Sequence, residues 1–98
     1  MATVKKATIP QSYSEKRQWD FDFTNDLETG ITISSATATH TPPSGNGITP
    51  AVGTISGAIV PVRVDNITQV LGTHTLRCLA TFSDGEKSEI ILYIDVIA

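Results

Sequence analysis

Asp20 and Asp22 are the nearest approach to a paired-carboxylate site in this sequence, because an i, i+2 spacing on a strand puts both side chains on one face. A calcium ion or a general acid/base pair would use such a face. Calcium, however, draws about six to eight oxygens, usually from a loop, and a sugar-cleaving pair needs an aromatic-lined cleft. With few aromatics to spare, the chain presents Asp20 and Asp22 as a solvated or partner-facing surface. His40 and His74 each stand among threonines, with no Cys, His, Asp or Glu beside them at zinc-ligand spacing. Serines are plentiful, yet there is no Gly-x-Ser-x-Gly elbow and no orienting acid near either histidine. Ser44-Gly45-Asn46-Gly47 lacks the lysine and the following helix of a phosphate-cradling loop, so its glycines read as loop flexibility. Asn66-Ile67-Thr68 matches a glycosylation sequon, a pattern that carries no weight without a secretion signal.

Cys78 is the single cysteine, so no internal disulfide forms and a reducing compartment is expected. Alternation places it with Leu76, Ala80 and Phe82, as a small buried hydrophobe rather than a nucleophile. The residue chemistry therefore predicts no enzyme, no cofactor and no metal. A formal charge of -3 gives no footprint for a polyanion, which argues against nucleic acid. Lys5, Lys6, Lys16 and Arg17 form the one basic concentration and read as a solvated arm. No apolar stretch approaches the ~20 residues of a membrane helix, and Met1-Ala-Thr-Val-Lys-Lys6 lacks the apolar core of a secretion signal. A soluble protein made in the cytoplasm, with no membrane partner, is the expectation.

The elements that must carry these residues are strands. The 98 residues suit one domain with one core, and the abundance of Thr, Ser, Val and Ile predicts an all-β fold. Residues 1–14 show no sustained alternation and read as an N-terminal arm or edge strand, with the sandwich domain spanning 15–98. Gln18 to Thr24 alternates strictly, sending Trp19, Phe21 and Phe23 to one face as the aromatic wall of the core. A turn around Asn25 to Gly30 leads to a strand over Ile31 to Ala38, and Thr41 to Gly47 is a surface loop. One short strand is expected within Ile48 to Ile55. Ala58 to Asp65 is a further strand, which Pro61 assigns to an edge or a bulge. Gly72 to Val96 forms a hairpin about Asp84-Gly85, and its last strand is apolar enough to be covered in part on both faces. The expected core comprises Trp19, Phe21, Phe23, Val62, Leu76, Cys78, Phe82 and Leu92. About six or seven strands at roughly ten-residue intervals predict an immunoglobulin-like antiparallel β-sandwich with an extended N-terminal arm.

Trp19-Asp-Phe-Asp-Phe-Thr-Asn-Asp-Leu27, then Gly30-Ile-Thr-Ile-Ser-Ser-Ala36, then Gly72-Thr-His-Thr-Leu-Arg-Cys78 and Ser83-Asp-Gly-Glu86 together resemble the small immunoglobulin-like virion proteins of tailed bacteriophages. The resemblance runs from about Glu15 to Val96. It departs from the family pattern at Val60-Pro-Val-Arg-Val64 and at the lone Gly72, where a Trp-containing strand and a Gly-Gly turn are common. It implies a non-enzymatic structural protein of the particle, sited at the neck or head-tail region as an adaptor for fibres, with capsid decoration as the runner-up. Implied partners are other virion proteins of the neck, tail or capsid, the fibres, and further copies in a homo-oligomeric array. Lys5, Lys6, Pro10 and Tyr13 in the arm, with Pro42, Pro43 and Asn46 in the loop, are the residues expected to reach neighbouring subunits. A carbohydrate-binding or host-adhesion module is the competing class, because immunoglobulin-like domains also display loops at their ends.

Overall fold

In the computed structural model, which describes residues 2–10, 16–45, 47–65 and 70–97, period-two alternation is clearest in the strands Lys16–Asp22 and Gly72–Phe82, whereas Ala2–Pro10 lacks it and Lys87–Ile97 is nearly continuously apolar. The strands are β1 (Ala2–Pro10), β2 (Lys16–Asp22), β3 (Ile33–Thr41), β4 (Ala51–Val52), β5 (Ile59–Asp65), β6 (Gly72–Phe82) and β7 (Lys87–Ile97). They form one sheet in the order β1-β7-β6-β3 and a second in the order β2-β5-β4. This is an immunoglobulin-like sandwich in which the first strand has joined the sheet of the last. All pairings are antiparallel except β1 with β7, which run parallel.

The core lies between the sheets. Phe21 and Phe23, Val60, Val62 and Val64, Leu76, Cys78, Ala80 and Phe82, and Ile90, Leu92, Ile94 and Val96 are all buried. Complete burial of a Val, Leu, Ile or Phe side chain contributes about 1.5–3 kcal/mol relative to exposure, so this cluster is the main source of stability. Phe23 and Phe82 meet edge to face, with ring centroids 6.3 Å apart.

Trp19, expected in the core, sits instead at its rim and is half-buried. The reason is positional: β2 is an edge strand, and Trp19 opens onto a notch of about 220 Å³ lined also by Lys6, Ala7, Asp20, Phe21 and Leu92. Pro61 is also placed differently from expectation, because β5 is the central strand of its sheet. A residue's N–H and C=O point to the same side of a strand, and the Pro61 carbonyl accepts the Gly53 N–H at 2.8 Å. β4 has already ended at Val52, so the donor that proline lacks faces a chain leaving the ladder.

Residues 2–10 form a ladder along β7, with Ala7 packed on the core. β7 is covered by the second sheet on its inner face, whereas Ile91 and Tyr93 on its outer face are half-buried among neighbours of their own sheet. The hairpin loop is three residues long, since Phe82 N–H donates to Glu86 C=O and Gly85 N–H to Phe82 C=O. Gly85 takes φ +90°, the left-handed position that such loops assign to glycine.

Candidate functional site

Ladder register brings the β3–β4 connection, the start of β6 and the end of β7 to one end of the sandwich. Thr41 pairs with Thr75 and Gly72 with Val96, so Leu71 and Ile97 are neighbours just past the last paired residues. Pro43 folds over this corner, where a Cβ added at Gly72 would lie 3.1 Å from Pro43 Cγ. Among the described residues, the large hydrophobics most exposed to solvent are Ile48 at 36%, Leu71 at 49% and Ile97 at 50%; Leu71 and Ile97 belong to this end, whereas Ile48 borders β3 beside Ala38 and Thr39. Scattered apolar residues need no explanation, but Leu71 and Ile97 are adjacent, which makes this corner the candidate contact surface.

Directly beneath lie His40 and His74, both buried and joined edge to edge, with ring planes within 13° and centroids 5.1 Å apart. Their protonation states follow from their partners. The Ile48 N–H donates to His40 Nδ1 at 3.1 Å, so that nitrogen bears a lone pair and the His40 proton sits on Nε2. His40 Nε2–H then donates to His74 Nδ1 at 2.9 Å, which leaves the His74 proton on Nε2 to donate to the Val70 carbonyl at 2.7 Å. Two neutral rings thus satisfy every nitrogen in one continuous relay from Ile48 to Val70. Burial first, and the adjacent His74 second, hold His40 below the ordinary histidine value of 6.5.

Stability should respond to pH accordingly. In the unfolded chain His40 takes up its proton near 6.5, whereas in the folded protein it does so only at lower pH. Within that window the unfolded state binds more protons. The contribution of His40 is therefore fully present above about pH 6.5 and is lost as pH falls toward the folded value. Urea melts across this range should show a falling midpoint, and a flat profile would contradict the relay.

The opposite end of the sandwich is acidic. A cleft of about 550 Å³ is bordered by Asp26, Glu28, Asp84 and Glu86, with Lys87 as its one cation among the described residues and Leu27, Ile31 and Phe82 as apolar lining. Asp26 accepts a hydrogen bond from Ser88 Oγ at 2.7 Å, and Asp84 accepts the Glu86 N–H at 3.0 Å, so part of this acidity serves local structure. No group of three or more His, Cys, Asp or Glu among the described residues is placed to hold a metal ion.

The residues singled out by sequence are dispersed. Asp20 and Asp22 are exposed; Asp20 accepts from Gln18 Nε2 at 3.0 Å, and Asp22 accepts the Thr24 N–H at 2.8 Å, turning the chain out of β2. Lys5 and Lys6 lie midway along β1, opposite Leu92 and Tyr93, away from the apolar end. Pro10 is brought to that end by its pairing with Ile97, and exposed Pro43 and half-buried Pro42 are there too. Tyr13, Asn46 and Asn66-Ile67-Thr68 lie outside the described residues. Leu71, Ile97 and the histidine pair were missed by sequence reasoning. His40 and His74 are 34 residues apart, and their one shared signal is that each continues the inward-facing phase of its strand.

Cys78 is fully buried, and burial pushes its thiol up to about 12. The reactive thiolate is therefore scarce at neutral pH. Alkylation by iodoacetamide should proceed only in denaturant, and labelling of the native protein at the rate of a free thiol would contradict the packing.

No family model matches the chain, and no curated protein matches it. Among solved structures, the fold is similar to part of a 2,6-sialyltransferase from Vibrionaceae Photobacterium sp. JT-ISH-224, at TM-score 0.54 and 11% identity, covering 100% of this chain and 18% of that one. The chain thus spans under a fifth of the enzyme's length, and the likeness is one of fold.

Proposed function

We propose that the protein is a non-enzymatic structural component of a tailed-bacteriophage particle, docking at the neck or head-tail region as an adaptor for fibres. The observation that carries a docking role is the exposure of Leu71 and Ile97 side by side, with Pro43 over the same corner, at one end of the sandwich. The resemblance over Glu15 to Val96 supplies the particle as its setting. The docking partners are other virion proteins and further copies of the chain, assembled in the host cytoplasm and retained in the virion. End-on contacts repeated around a ring add up to firm attachment without any one interface being large. A carbohydrate platform has less support, because half-buried Trp19 and Tyr93 lie on different surfaces, at the rim notch and on the outer sheet face.

Leu71 and Ile97 are exposed, so glutamate at both should leave the fold intact while opposing apolar docking. Quantitative mass spectrometry of purified particles should find the L71E/I97E protein reduced by about tenfold, the effect of losing roughly 1.4 kcal/mol per site of attachment. Undiminished incorporation would overturn the docking assignment.

A further inference from the structure

We propose that the His40–His74 relay is an acid-operated latch on the apolar end, releasing Ile48 and the turn at Val70–Leu71 when the pair takes up one proton. This rests on the reading of that end as a docking surface, and it supplies the regulation of that surface. The two ends of the relay are backbone groups of the docking loops: the Ile48 N–H on one side and the Val70 carbonyl, next to Leu71, on the other. Two of the three exposed hydrophobics are thereby held in place through the hydrogen-bonded rings.

A third proton on the pair has nowhere to go without breaking the relay. Placed on His40 Nδ1, it removes the acceptor of the Ile48 N–H; placed on His74 Nδ1, it sets two N–H groups against each other across the 2.9 Å contact. Reversing the direction of donation between the rings also needs a proton on His40 Nδ1 and loses Ile48. Every singly protonated form therefore cuts at least one link.

The charged side chains described on the surrounding strands are exposed, not turned to the pair. The cross-strand neighbours of the pair are Leu76 for His40 and Ile94 for His74, both apolar. Arg77 and Asp95, next along β6 and β7, are exposed and fall on the outer face, where Asp95 accepts from Thr73 Oγ1 at 2.6 Å. On β3 the flanking residues are Thr39 and Thr41, and residues 42–50 contain no titratable side chain. On β5, Val64 is buried, Arg63 is exposed, and Asp65 at the strand end is in register with Lys16 of β2.

Amide hydrogen exchange and ring ¹⁵N shifts of the labelled, unsubstituted protein test the latch without any partner. As the pH is lowered from about 7.5, the Ile48 amide should lose about tenfold of its protection beyond the intrinsic pH effect, while the core amide of Phe23 keeps its own. The ring shifts should report protonation in step with that loss. His40→Asn, which offers a non-titrating oxygen near the Nδ1 position, should make Ile48 protection independent of pH; if that variant does not fold, the ring titration of the unsubstituted protein decides. Constant Ile48 protection while a ring protonates would overturn the latch, as would rings that stay neutral until the whole protein unfolds. Failure of the docking reading is distinguishable, for it appears as normal incorporation of L71E/I97E and leaves the exchange result standing.

Discussion

Replacing Phe23 with alanine is expected to destabilise the protein by about 3–5 kcal/mol, the cost of lost burial plus the cavity left behind. Phe23 is completely buried, packs edge to face on Phe82, and anchors its own backbone through an N–H donated to Ala58 C=O at 2.9 Å. That backbone bond should survive the substitution, so the loss belongs to the ring. A domain of this size has roughly 5–15 kcal/mol to lose, and the variant should be marginal at growth temperature. Urea denaturation followed by tryptophan fluorescence measures the change. A loss below about 1 kcal/mol would mean the two sheets do not close on this residue as described.

Gly47→Ala is expected to cost about 1–3 kcal/mol and to detach Ile48 from His40. A Cβ at this position would overlap the His40 carbonyl oxygen and lie 3.3 Å from the carbonyl carbon, both backbone atoms that cannot rotate aside. The chain at Gly47 must therefore lift away, carrying with it the neighbouring Ile48 N–H that caps His40 Nδ1. Gly45→Ala serves as the control. Gly45 has φ +78° with nothing within 4 Å of an added Cβ, so its cost is confined to the backbone preference, about 1 kcal/mol. Loss of Ile48 exchange protection in G47A but not in G45A would confirm the close approach; equal behaviour of the two would contradict it.

Much of the sandwich is legible in the sequence because its strands alternate cleanly. Phe21 and Phe23, or Leu76, Cys78, Ala80 and Phe82, declare an inward face without reference to anything distant. Pro61 misleads because a missing donor is a local fact, while the strand beside it stops one residue short for reasons of topology. Trp19 misleads in the same way: its phase points to the core, and its place on an edge strand leaves it at the rim. The apolar end is less legible still. Leu71 and Ile97 are ordinary residues at the ends of their runs, and the β6–β7 register is what makes them neighbours. The histidine relay depends on that register and on a loop fold that brings the Ile48 N–H back to β3, neither of which a spacing rule contains.

The apolar end, the relay beneath it and the acidic end opposite give the molecule a direction along its 44 Å length. The proposed adaptor role uses such polarity, with one end seated and the other presented. The proposed phage setting adds a location, and the two are tested together. Cryo-electron microscopy of the intact particle, after mass spectrometry has established that the protein is in it, is the most direct measurement. The account predicts density at the neck or head-tail region with Leu71 and Ile97 turned into the particle and the acidic cleft turned outward. Absence of the protein from the particle, or seating through the acidic end, would contradict it.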